Sequence, residues 1–235
     1  MTFENNLNKL CLIYGNQQFL VEETVDSIIK DRLEGSQHEW ALERFNLNEL
    51  LKTSRDSGRQ NVEDLVISCE TLPMLTDRKV IQIDNFELVK KSRNNSEKNN
   101  QNLIYETFEK IIKKPPESIW FVFTSSATRE QDFSNPLFQS IKKTGLIKKF
   151  IAYENATPFN WVIQRGETKG LPLSTDAARL LIDIVGSDLM DLDHELEKLS
   201  LYLTGEKFTE EMIKEHIRGH KHFSVFRMTE SLSRK

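Results

Sequence analysis

Short apolar runs alternate with stretches of helical apolar spacing through the first two-thirds of the chain, and beyond that only the helical spacing continues. The runs predict strands at 10–14, 39–47, 79–84, 118–124 and 147–153. Trp120-Phe121-Val122-Phe123 is apolar on both faces, as a central parallel strand requires. Helices are predicted between them at 20–33, 62–70, 103–113 and 136–143. In the third, Leu103, Ile104, Thr107, Phe108, Ile111 and Ile112 make one stripe that Pro115-Pro116 closes. Strands alternating with helices predict βα units: an α/β fold with a mainly parallel five-stranded sheet and flanking helices. Residues 90–102 hold no aliphatic or aromatic side chain and read as a solvated loop rather than a nucleic-acid contact.

Helices at 157–169, 175–185, 189–203 and 209–217 follow, separated by turns at Gly170-Leu171-Pro172, Gly186 and Gly205. Ser174 and Asp188 stand where helix N-caps belong. The organisation expected is an α/β domain over 1–153, a small all-helical domain over 154–218, and at 219–235 an amphipathic helix without a partner layer.

Within the first unit, LCLIYGNQQFLVEETVDSIIK has the strand, glycine turn and helix of a nucleotide-binding βα unit. A phosphate loop needs G-x-x-x-x-G-K-[ST], whose amides, lysine and hydroxyl bind phosphates and magnesium. Gly15 is followed instead by Asn16-Gln17-Gln18, with no second glycine, no lysine and no hydroxyl in place. Asp84-Asn85 ends the third strand where an ATP hydrolase has two acids, and Asp84 alone reads more simply as a turn residue. Composition adds little. At 235 residues and 38% hydrophobic content the chain can pack a core. The net charge of −4 leaves no broad basic footprint, although Lys142, Lys143, Lys148 and Lys149 form a local group that could contact DNA. Cys11 and Cys69 read as small buried hydrophobes. His216, His220 and His222 lack an accompanying acid or cysteine, so they read as surface rather than zinc ligands, and no metal or cofactor is expected. Neither a membrane span nor a signal peptide is predicted, so the expected compartment is the cytoplasm.

Taken together, LIYGNQQFLVEETVDSI, TLPMLTDRKVIQID, IWFVFT and AARLLIDIVGSDLMDLDHELEKLSLY resemble the delta subunit of the bacterial DNA polymerase III clamp loader, over nearly the whole chain and in order. The resemblance implies an AAA+-like α/β domain, a helical lid domain and a collar domain that this chain only begins, at 219–235. It implies a non-catalytic subunit that opens the beta sliding clamp. The other partners implied are the delta-prime and gamma/tau subunits and primed DNA. It also implies a degenerate nucleotide site at Gly15, Asn16, Gln17, Asp84, Asn85 and Met190, the last standing where ATP-using relatives place an arginine. The rival readings are a residual P-loop NTPase of the AAA+ class and a DNA-binding adaptor.

In the family an exposed apolar pair just before the third strand grips the clamp. By resemblance that pair is Met74 and Leu75, supported by Leu72 and Pro73. Pattern alone favours Met74 and Leu75 as core under the sheet; the resemblance reverses that preference. Neither residue is aromatic, a departure from the Leu-Phe pair of some members.

Overall fold

The computed structural model describes residues 8–33, 38–52, 61–91, 98–133, 135–151, 158–202 and 208–216. Its contacts divide the chain into a unit Met1–Ala152 and a unit Tyr153–Lys235.

The first unit is a single sheet in the order β2-β3-β4-β1-β5, every neighbouring pair parallel. The strands are β1 (Leu10–Gly15), β2 (Leu42–Asn46), β3 (Lys79–Asp84), β4 (Ile119–Ser125) and β5 (Leu146–Phe150). The predicted both-faces-apolar strand is β4, central as expected. Side chains alternate across the sheet. Leu10, Leu12, Tyr14, Ile81, Ile83, Phe121 and Phe123 pack one face; Cys11, Ile13, Val80, Trp120 and Val122 pack the other. The helices of this unit are α1 (Gln18–Leu33), α2 (His38–Ala41), α3 (Leu47–Leu50), α4 (Val62–Glu70), α5 (Lys98–Lys113) and α6 (Leu137–Thr144). Helices α4, α5 and α6 cover the first face and α1 the second. Tyr14, Phe86, Phe108, Phe123, Phe133 and Phe138 join in edge and stacked contacts within the first core. Burial pushes the Cys11 thiol up to about 11 and Cys69 to about 12, which makes both inert, small core residues as predicted.

Three predicted elements need correction. The strand expected over 147–153 runs Leu146–Phe150 instead. The strand expected over 39–47 is confined to Leu42–Asn46, preceded by the helical turn α2. Its end is set by Asn46, whose side chain accepts from the Asn48 and Glu49 amides and starts α3 at Leu47. Helix α5 begins at Lys98, inside the region read as loop, because the apolar stripe from Leu103 onward carries an additional polar turn at small propensity cost. Residues 92–97 lie outside the described residues.

The second unit comprises α7 (Phe159–Thr168), α8 (Thr175–Val185), α9 (Leu189–Tyr202) and α10 (Glu210–His216). Ser174 caps α8 through the Ala177 amide, and Asp188 caps α9 through the Met190 and Asp191 amides, as the sequence predicted. Val162, Ala178, Leu181, Leu192, Leu196 and Ile213 are buried in its core. The Asp193 carboxylate bonds Arg165 at 2.5 Å and Lys169 at 3.3 Å. Burial raises its pKa, but these two cations outweigh that and hold it below the ordinary value. The segments 152–157 and 217–235 lie outside the described residues.

Candidate functional site

At the carboxyl ends of the strands lies a cleft of about 460 Å³, the position at which open parallel sheets take ligands. Of the residues expected at a nucleotide-site remnant, Gly15, Asp84 and Asn85 line it, while Asn16 and Gln17 are not among its lining residues. Several of its polar groups are engaged with one another. Asp84 Oδ1 accepts from Thr124 Oγ1 at 2.6 Å and from Gln82 Nε2 at 3.0 Å; Gln82 Oε1 in turn accepts from Arg44 Nε at 3.1 Å. Asn85, at a left-handed φ of 65°, donates from Nδ2 to Asn46 Oδ1 at 2.9 Å. The Asp84-Asn85 pair therefore closes the β3 turn against β2 and β4, which matches the turn reading of Asp84.

The loop itself is too short to cradle a phosphate. Only Asn16 and Gln17 separate β1 from α1. The Gln17 amide already donates to the Phe150 carbonyl at 3.3 Å. Gly15, at φ 144°, lies so close to the Phe150 backbone that a Cβ would overlap its carbonyl. Among the lining residues, Glu22, Asp26 and Asp84 face one guanidinium, Arg44, so a nucleotide's phosphates would meet net negative charge. Met190, assigned by resemblance to the same site, is exposed in the first turn of α9 in the second unit.

The opposite end of the sheet is different in kind. The turn between α4 and β3 presents Leu72 at 57%, Met74 at 91% and Leu75 at 76% exposure, with Pro73 half-buried. The pattern-based expectation that Met74 and Leu75 tuck beneath the sheet is thus overturned: α4 ends at Glu70, where Thr71 is already extended, and beyond Pro73 both side chains stand in solvent. Sequence reading missed a neighbour, Ile67, 60% exposed and one turn before Thr71, whose amide donates to the Ile67 carbonyl at 2.8 Å. The signal was present. Val62, Leu65 and Cys69 form the buried stripe of α4, and Ile67 lies about 200° from Leu65 around the helix. The far stem of the turn is fixed by Thr76 Oγ1 donating to the Arg78 carbonyl at 2.7 Å.

The lysine group does not form one patch. Leu146 and Phe150 pack on the α1 side of β5 and Ile147 on the other, so Lys148 and Lys149 face opposite ways by strand alternation. Lys148 is half-buried, and burial lowers its pKa. Lys142 is paired with Glu130 at 2.9 Å, while Lys143 and Lys149 are exposed. His220 and His222 lie outside the described residues, and among those residues no three His, Cys, Asp or Glu side chains are grouped to hold a metal. Among them, too, no helix is long and apolar enough to cross a membrane.

A sequence profile of the family described as DNA polymerase III, delta subunit, matches residues 11–150. No individual curated protein sequence matches. Among solved structures, the chain is similar to a Bacillus subtilis DNA clamp loader delta protein, with TM-score 0.66 and 19% identity over 90% of this chain and 58% of that one. It is also similar to AMPPCP-bound DnaA from Aquifex aeolicus, with TM-score 0.51 and 12% identity over 97% of this chain and 61% of that one. At such identities these structures speak to the fold, which is AAA+-like. The chain spans less than two-thirds of the length of either.

Proposed function

Because the chain belongs to the DNA polymerase III delta-subunit family, we propose that it is a clamp-loader component that grips the beta sliding clamp through the Leu72–Leu75 turn and hydrolyses no ATP itself. The observation that carries this reading is the exposure of Met74 and Leu75 on a turn held between a helix end and a strand start. Apolar anchors of this kind, inserted into a desolvated pocket, concentrate binding energy in few residues. The wedge favours the open ring if it binds better when the adjacent clamp interface is sprung, and this needs no chemical step. A cleft with a short loop, spent hydrogen bonds and net negative charge is consistent with a non-catalytic subunit. The delta-prime and gamma/tau subunits would then control access to the wedge and bring the complex to primed DNA. The lid and collar assignments of 154–218 and 219–235, the cytoplasmic location and any DNA contact through Lys142, Lys143, Lys148 or Lys149 belong to the same proposal.

The test is binding to the beta clamp of the same organism. Met74→Ser with Leu75→Ser is expected to weaken it at least about 100-fold while leaving folding stability within about 0.5 kcal/mol, since neither side chain is packed. Equal binding by the double variant would overturn the assignment of the wedge.

A further inference from the structure

The exposed turn stands on two consecutive cations that point to opposite faces of the sheet. Odd positions of β3 face α4 and even ones face α1, as Ile81 and Val80 show. Just before the strand, Arg78 Nη1 donates to the Arg32 carbonyl in the last turn of α1 at 3.5 Å, and its guanidinium lies 5.7 Å from the Trp120 ring centre. Lys79 opens the strand with its side chain only 7% exposed; Nζ donates to the Ser68 carbonyl in the last turn of α4 at 3.0 Å and pairs with Glu43 Oε1 of β2 at 2.5 Å. Its amide donates to the Ser118 carbonyl, next to the start of β4, at 2.9 Å. A cation at a helix C-terminus satisfies carbonyls that lack partners and complements the dipole. The Lys79 ammonium also fixes where α4 ends relative to the sheet edge, and the turn spans that gap.

We propose that Lys79 is a positioning residue for the apolar turn: by joining the α4 carboxyl end to the edge of the sheet through Ser68 and Glu43, it holds Leu72, Met74 and Leu75 in their projecting arrangement before any partner arrives. The inference rests on the reading of the turn as the clamp contact. A wedge already ordered loses less conformational freedom on docking, and affinity rises accordingly. Methionine at 79 keeps the packed stem and removes the charge and its bonds, so the variant separates positioning from burial.

The experiment measures beta-clamp binding of Lys79→Met, Glu43→Gln and Met74→Ala, singly and with Lys79→Met combined with Met74→Ala, together with amide exchange of the folded chain. Lys79→Met is expected to weaken binding about tenfold and Glu43→Gln about threefold. The Thr71 amide should exchange faster in Lys79→Met while those of β1 and β4 stay protected. If Lys79 acts through the turn, the Lys79→Met loss shrinks to about twofold in the Met74→Ala background. Wild-type binding by Lys79→Met, an undiminished loss in that background, or lost protection throughout β1 and β4 would each overturn the proposal. Should Met74→Ser with Leu75→Ser bind like wild type, the underlying reading of the turn fails instead, a result these variants keep distinct.

Discussion

The two ends of one parallel sheet make opposite use of their side chains. At the carboxyl ends, Asp84, Thr124, Gln82 and Arg44 form a connected set of hydrogen bonds around a cleft. At the amino end of β3, Leu72, Met74 and Leu75 stand in water with no such partners. Binding potential lies in what folding leaves unsatisfied. A polar cleft whose donors and acceptors are paired internally must break those bonds to take a ligand, whereas an exposed apolar side chain gains about 1.5–3 kcal/mol when a partner buries it fully. The scaffold of a nucleotide-binding fold is present at one end, and the group best placed to bind stands at the other.

The comparison can be broken most severely at Gly15. Alanine there would force its Cβ into the Phe150 carbonyl at a φ unsuited to side chains, and urea denaturation should show a loss of about 4 kcal/mol. A loss under about 1 kcal/mol would mean that the β1–β5 closure of the loop is slack and that the cleft could open. Asp84→Ala leaves the Gln82 amide and Thr124 hydroxyl without their acceptor and should cost about 2 kcal/mol in the same assay; a neutral result would detach Asp84 from any structural role. At the other end, Leu75→Phe adds apolar area to a solvent-facing anchor. Tighter clamp binding by about fivefold, or about 1 kcal/mol, is expected, and weaker binding would show that the receiving pocket is shaped for an aliphatic pair. The smallest effect sharpens the contrast: magnesium-ATP should move the melting midpoint by less than about 0.5 °C, since a ligand that does not bind the native state cannot stabilise it. A rise of several degrees would restore a phosphate site to the cleft.

The fold was legible where periodicity and local chemistry agree. Trp120–Phe123 announces a strand buried on both faces, Ser174 and Asp188 announce caps, and the stripe from Leu103 announces α5. The misreadings have local causes. The 39–47 strand was overextended because an apolar and aromatic sequence is shared by a helical turn and a strand end, and the cap at Asn46 is a side-chain bond that periodicity does not register. Within the candidate sites, the missing glycine, lysine and hydroxyl after Gly15 were plain in the chain, as was the chemistry of Leu72-Pro73-Met74-Leu75.

What the sequence determined by itself was the order of the strands and longer helices, the parallel sheet and the lack of phosphate-loop side chains after Gly15, because these follow from hydrophobic period and from which functional groups exist at all. Two things were decided only by the tertiary structure. Met74 and Leu75 face water instead of the core, and Lys79 reaches the last turn of α4. The reason is the same in each case: exposure and reach depend on where β2, β4 and the helices pack around β3, and those neighbours are distant in the chain.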